Sequence, residues 1–407
     1  MIIKKKNFKK VALFALVSLI SSLMNILITF LISLFYNPDE FSSFYIYMSY
    51  ALLLINILML GSGNIIAAFK EEINSFENKY LYLWISIIFP AISAIFLVIY
   101  SIIKSFLITS ISLIDIVGIL FFVSGSCSIQ LIKSSYLINY KFTQIFKILF
   151  FLLIFSILVL YGLNYYSIPL VRYFLILGIT YQITSILILN QKIDLKLFTR
   201  INFKSHLSFG LPSAINSTAM SFLSNGDKLL IPFLFNDNYF VSTYLYASLI
   251  AGYSLFIVNI YASYWGAEIT NLWLNYKVEQ KIKLFKKQKS LIFWIFLPLF
   301  FLPLAWVYSY FVIIDDFYMY FVVCFILLIG HLFSGVNKFY LGFILMFKNS
   351  KYNLISSVYA GIIFSIIVIS LKDIFGLYSL AIGLLTASIF LTLRSFLFVR
   401  TKILTLV

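Results

Sequence analysis

The chain has 407 residues, 62% of them apolar and 11% charged, and a formal net charge of +16. Its apolar runs are long enough to cross about 30 Å of hydrocarbon, which excludes a soluble globular domain and points to an all-α integral membrane protein. The positive surplus would suit a nucleic acid, but Lys and Arg retained on the cytoplasmic side during insertion produce the same excess. Their placement favours the membrane explanation. With the tail of Lys4, Lys5, Lys6, Lys9 and Lys10 inside, 26 of the 30 basic residues fall at or toward the inner face. Lys104, Arg172 and Lys372 fall outside, and Lys228 lies within a span.

In chain order the hydropathy predicts about twelve spans, near 11–36, 41–69, 80–103, 113–138, 145–163, 168–190, 206–234, 240–266, 290–312, 317–347, 352–371 and 376–398. The first run is too long for a signal-peptide core and has no small-residue cleavage site, so it is expected to remain as a span. It carries Ser18, Ser22, Asn25 and Thr29 at spacings of four, three and four, which puts them on one helical face. Span four carries Lys133, close enough to the inner end for its stem to snorkel.

Span seven repeats the polar stripe. Adding 199 to the span-one positions gives Ser217, Ser221, Ser224 and Lys228, all polar. Two such stripes suit helices lining a hydrated cavity, since polar groups facing lipid go unsatisfied. Helix packing through small residues is the alternative. Pro212, Gly226 and Pro232 weaken the backbone ladder of this span and mark it as a candidate bending element. Asp227 is the best-placed intramembrane acid and the first candidate for binding a coupling ion, H⁺ or Na⁺; an ion pair with a lysine of another span is the competing role. Asp227 and Lys228 are adjacent, so their side chains leave the helix about 100° apart, and each is expected to need another partner.

The same 199-residue offset relates Asn37–Ser49 to Asn236–Ser248, with six of thirteen positions identical, among them Tyr45 and Tyr244, and Ser49 and Ser248. The tyrosines are read either as outer interfacial anchors or as ligands offering a ring and a hydroxyl to a sugar. In span ten Lys338 lies ten residues from Lys348, about 15 Å of helix, too deep for comfortable snorkelling. His331 precedes it by two turns and either lines the same cavity or makes a packing hydrogen bond. Cys127 and Cys324 fall in the corresponding spans four and ten, each in apolar sequence, with no metal or disulfide pattern. The ammonium groups outnumber the carboxylates, which suits an anionic ligand.

An internal repeat in a membrane chain is the signature of alternating-access transporters, whose halves rock around a site between them. Six spans on each side of about residue 200 give parallel halves, 1–203 and 204–407. No nucleophile, base or metal constellation is present in the sequence, so no enzymatic activity and no cofactor is expected.

The chain resembles the polysaccharide flippases of the multidrug/oligosaccharidyl-lipid/polysaccharide (MOP) exporter superfamily, in particular the Wzx-type O-antigen translocases. The likeness is carried by Asn37-Pro38-Asp39-Glu40-Phe41, by Gly61-Ser62-Gly63, by Phe209-Gly210-Leu211-Pro212, and by Asp227-Lys228-Leu229-Leu230-Ile231. It departs from the family at Ser42 and Ser43, where a glycine is usual, and at Asp227-Lys228, where the family has Asp-Arg. Lysine lacks the planar fork of arginine, so only a point-charge role carries over to residue 228.

The resemblance implies two parallel six-helix lobes, 1–203 and 204–407, in a V-shaped MATE-like fold. It implies an undecaprenyl-diphosphate-linked glycan crossing a bacterial inner membrane by ion-coupled antiport, with both termini cytoplasmic. Expected partners are membrane lipids and polysaccharide-assembly proteins such as a polymerase, and the protein itself is expected to be a monomer. Lys338, Lys133, Lys228, Ser18, Ser22, Asn25, Thr29, Ser217, Ser221, Ser224, Tyr45 and Tyr244 are the expected substrate contacts. A drug/cation antiporter of the same superfamily would call for a carboxylate in span one, and that span has none. A membrane-embedded polymerase would call for larger outer loops than the roughly ten residues expected here.

Overall fold

The structure, a computed structural model, describes residues 17, 20, 24, 27–59, 113–138, 141–189, 203–235, 240–255, 297–311, 314, 316–347 and 350–405. Spans near 80–103, the Gly61-Ser62-Gly63 segment and stripe residues Ser18, Ser22 and Asn25 lie outside them. The described residues form helices and turns only: α1 (27–35), α2 (Pro38–Leu58), α3 (Leu113–Ile138), α4 (Phe142–Tyr165), α5 (Arg172–Leu189), α6 (Phe203–Leu234), α7 (240–255), a 3-10 turn at Leu297–Phe300 running into α8 (Phe301–Tyr308), α9 (Phe317–Met346), α10 (Ser350–Phe375) and α11 (Tyr378–Leu404). Six of these are long and apolar enough to cross a membrane.

Local chemistry fixes several helix ends. The Asn37-Pro38-Asp39-Glu40 turn is a helix start: Asn37 Oδ1 accepts the Glu40 backbone N–H at 2.8 Å, Pro38 opens the first turn, and the two acids face the positive end of the helix dipole. Asp316 caps α9 in the same way, accepting from Met319 N–H at 2.9 Å. Gly376, at φ +52°, closes α10 and lets the chain turn directly into α11. α6 is helical from end to end, through Pro212, Gly226 and Pro232. α11 runs to Leu404, six residues beyond the expected end, since Arg400 and Lys402 are good helix formers and nothing in the last turn breaks the helix.

The chain forms two compact units, Met1–Met24 with Tyr47–Ser217, and Asn25–Ile46 with Thr218–Val407. In the first, α3 and α5 approach to backbone contact through glycines. A Cβ at Gly125 would lie 2.6 Å from Tyr181 Cβ and 2.8 Å from the Gly178 carbonyl, and one at Gly178 would collide with the backbone of Phe121 and Phe122. Small residues are what permits such approach where lipid supplies no hydrophobic drive. The seam also holds a Gln182 to Ser124 side-chain hydrogen bond, and Phe122 packs edge-on against Phe174. At the ends of these two helices Asp115 of α3 and Arg172 of α5 form an ion pair at 3.7 Å.

In the second unit α9, α10 and α11 pack together, with Phe339, Phe343, Ile344, Val399 and Ile403 forming an apolar cluster. Higher up, the Phe364 ring of α10 fits between two glycines. A Cβ at Gly226 of α6 would lie 2.8 Å from it, and one at Gly383 of α11 would lie 3.0 Å from it. Gly226 therefore serves close packing beside Asp227.

Candidate functional site: a buried carboxylate and its ring of donors

Asp227 sits on α6 with its side chain wholly buried. Lys228 does not need a partner on another helix: its flexible stem folds back, and Nζ lies 3.2 Å from Asp227 Oδ1 and 3.4 Å from Oδ2. This corrects the expectation from the 100° separation, which holds for the Cβ vectors but not for the end of a four-carbon chain. Two further donors come from α7, the Tyr244 hydroxyl at 3.0 Å and the Ser248 hydroxyl at 3.3 Å, both onto Oδ2. Burying a charge requires pairing and hydrogen bonding of this kind.

Tyr244 is fully buried against this acid, so its position is that of a carboxylate donor and not of an interfacial anchor. Tyr45 of α2 completes the ring. Its aromatic face receives Lys228 Nζ at 5.4 Å from the centroid, and its hydroxyl hydrogen-bonds with Ser248. The repeated tyrosines thus converge on one ion pair. The segment around Tyr45 is held by further contacts in the same unit. Phe41 stacks on Tyr246 with centroids 4.5 Å apart, Tyr308 donates to Ser33 at 2.5 Å, and Thr29 of the polar stripe hydrogen-bonds with Tyr253.

The other stripe residues behave differently. Ser217 and Ser224 turn their hydroxyls onto the carbonyls of Ala214 and Met220 of their own helix, which satisfies them without a ligand. Ser221 is buried. Lys133 is half-buried on α3.

On α9, His331 and Lys338 are half-buried, two turns apart, and His331 lies within electrostatic range of both Lys338 and Lys228. A ladder to α11 fixes this stretch. Ser334 and Ser388 hydroxyls meet at 3.1 Å, Thr392 donates to the Phe333 carbonyl at 2.7 Å, and Ser395 donates to Asn337 Oδ1 at 2.7 Å. The ladder was not foreseen, although its signal is present as small polar residues at spacings of four and three on α11. Among the described residues no group of three or more metal-ligating side chains comes together.

Solved structures share this architecture. Superposed on the Vibrio cholerae MATE transporter VcmN in its bent form, the chain gives a TM-score of 0.65 at 11% identity, covering 98% of this chain and 97% of that one. The chain has the MATE transporter fold. A second MATE structure, in the bent conformation, matches with a TM-score of 0.63 at 15% identity over 98% and 96% of the two chains. An inward-facing multidrug-resistance MATE transporter of the MOP superfamily matches at 0.59 and 15% over 95% of each. No protein-family model and no curated protein sequence matches the chain.

In this MATE fold the α6 pair is a neutral unit. Lys228, counted from sequence among the cations open to an anionic ligand, has its charge matched by Asp227 and its head buried. Lys338, His331 and Lys133 retain accessible surface.

Proposed function

We propose that this chain is a MOP-superfamily exporter that moves an undecaprenyl-diphosphate-linked oligosaccharide from the cytoplasmic to the outer leaflet by alternating access of two six-helix lobes, 1–203 and 204–407. The MATE fold over nearly the whole chain supports a multi-pass membrane exporter. The observation that carries the finer reading is the pairing of Asp227 with Lys228. Asp227 is paired with Lys228, span one supplies no other carboxylate, and the half-buried Lys338 and Lys133 are further basic side chains, a surplus of lysine over acid that supports a diphosphate rather than an organic cation.

Coupling to an ion is proposed to act through the same pair. A proton taken up by Asp227 would release the Lys228 ammonium, and Na⁺ would have to displace it. Either event changes the charge presented next to Tyr45 and Tyr244. Lys338, Lys133, the remaining polar stripe and the two tyrosines are proposed to contact the headgroup and sugars as the site opens. The protein would act as a monomer in the inner membrane, termini cytoplasmic, alongside a polymerase and other assembly proteins.

A drug/cation antiporter is the second reading, favoured by the likeness to MATE structures. The two separate in cells. Depletion of a flippase leaves lipid-linked repeat units inaccessible at the outer face, whereas depletion of a drug antiporter leaves them accessible and sensitises the cells to cationic dyes. Equal exposure of the repeat units with and without the protein would remove the flippase reading.

A further inference from the structure

Arg394 of α11 occupies an unusual place. Its guanidinium lies 5.2 Å from the ring centroid of Tyr352, 5.1 Å from that of Tyr359 and 5.9 Å from that of Phe390. Tyr352 and Tyr359 are seven residues apart on α10 and so share a face. Tyr352 is itself anchored, donating its hydroxyl to the Arg394 carbonyl at 2.8 Å and stacking on Phe398 with centroids 4.0 Å apart. Lys402 stands over the far ring of that stack, 6.0 Å from Phe398. Two cations therefore flank an ordered aromatic pair.

The rings orient the guanidinium but accept none of its five N–H donors in plane. Among the described residues no carboxylate or carbonyl meets them. The 27 residues of α11 span about 40 Å, some 10 Å more than the hydrocarbon. Arg394, ten residues before Leu404, is thus near the inner edge of the hydrocarbon, where an unpaired arginine is unfavourable. The surrounding flank is apolar and exposed, with Ile355, Val358, Ile362, Leu393 and Leu397 turned outward, so it faces lipid tails. Lys351 and Arg400, both exposed, lie at the same membrane face.

We infer that the α10–α11 flank is a binding site for the phosphate of an anionic phospholipid, gripped two-pronged by Arg394. The acyl chains lie along the apolar stripe of α10, and the phosphate reaches the guanidinium from the headgroup layer. A planar fork suits a phosphate at this depth better than a hydrated ammonium does. The site rests on the membrane-spanning character of α10 and α11 and is independent of what the chain transports.

The test is native mass spectrometry of the purified full chain with phosphatidylglycerol or phosphatidylcholine at equal concentration. The wild type is expected to retain phosphatidylglycerol preferentially, and Arg394→Gln to lower that retention about tenfold, as loss of one charge-assisted contact implies. Lys372→Gln, at the other end of α10, is expected to leave it unchanged. Arg394→Lys keeps the charge without the fork, serves if the glutamine variant fails to insert, and is expected to lose part of the preference. Equal retention of the two lipids by the wild type, undiminished phosphatidylglycerol in Arg394→Gln, or full preference in Arg394→Lys would overturn the assignment.

Discussion

Replacing Asp227 with leucine should leave the Lys228 ammonium buried without a counter-charge and strip Tyr244 and Ser248 of their acceptor. The Asp227 side chain is 0% exposed and that of Lys228 6%, so water cannot take over the solvation. Breaking a buried pair on one side costs about 3–5 kcal/mol, and the two hydroxyl losses push Asp227→Leu toward the upper end. Asp227→Asn keeps an oxygen for Tyr244 and should sit near about 3 kcal/mol. The double variant Asp227→Leu with Lys228→Met removes both charges together and should recover the cost of the unpaired ammonium, leaving only that of the two hydroxyls without an acceptor, about 1–3 kcal/mol. Thermal unfolding in nanodiscs reads this directly, with Asp227→Leu lowered by several degrees and the double variant partly restored. A single variant as stable as the wild type, or a double variant as unstable as Asp227→Leu, would refute the argument. Transport by the double variant should nonetheless be lost, which separates folding from function.

Three further outcomes follow from the same geometry. Tyr244→Phe should destabilise the protein by about 1.5–3 kcal/mol, the worth of a hydrogen bond to a charged group, with a Tyr246→Phe control measured by the same unfolding assay. Gly178→Leu should prevent α3 and α5 from meeting, since even a Cβ there enters the backbone of Phe121 and Phe122; the expected result is loss of monodisperse protein on size-exclusion chromatography, and a well-behaved variant would contradict the seam. Lys338→Glu should abolish transport while leaving membrane insertion intact, whereas the same change at Lys289, which the sequence puts in a peripheral basic cluster at the inner face, should be tolerated; normal transport by Lys338→Ala would remove Lys338 from the mechanism.

Most of the helical frame was legible in the sequence because apolar run length is set by the bilayer. The span expected at 113–138 is helical over Leu113–Ile138, and those expected near 317–347 and 206–234 differ from the observed helices by a few residues at most. The convergence of the repeat on one point was half legible. Tyr45, Tyr244 and Ser248 stand out by the 199-residue offset, but their meeting at Asp227 depends on a contact between helices that spacing along one helix does not encode. The Asp227–Lys228 pair was misread because helical geometry constrains the Cβ direction and leaves the lysine stem free. Arg394 looked like one more inner-face cation. Its aromatic setting is only partly local: Phe390 and Phe398 lie four residues to either side on α11, but Tyr352 and Tyr359 come from α10, more than thirty residues away, which no pattern along α11 encodes.

The measurement that bears most directly on the proposed activity is leaflet access of a lipid-linked oligosaccharide in proteoliposomes, read by a glycan-cleaving enzyme added outside. The account predicts cleavage that rises beyond the initially exposed fraction only when the folded protein is present. Cleavage held at that fraction, with folded protein and the natural glycan supplied, would contradict it.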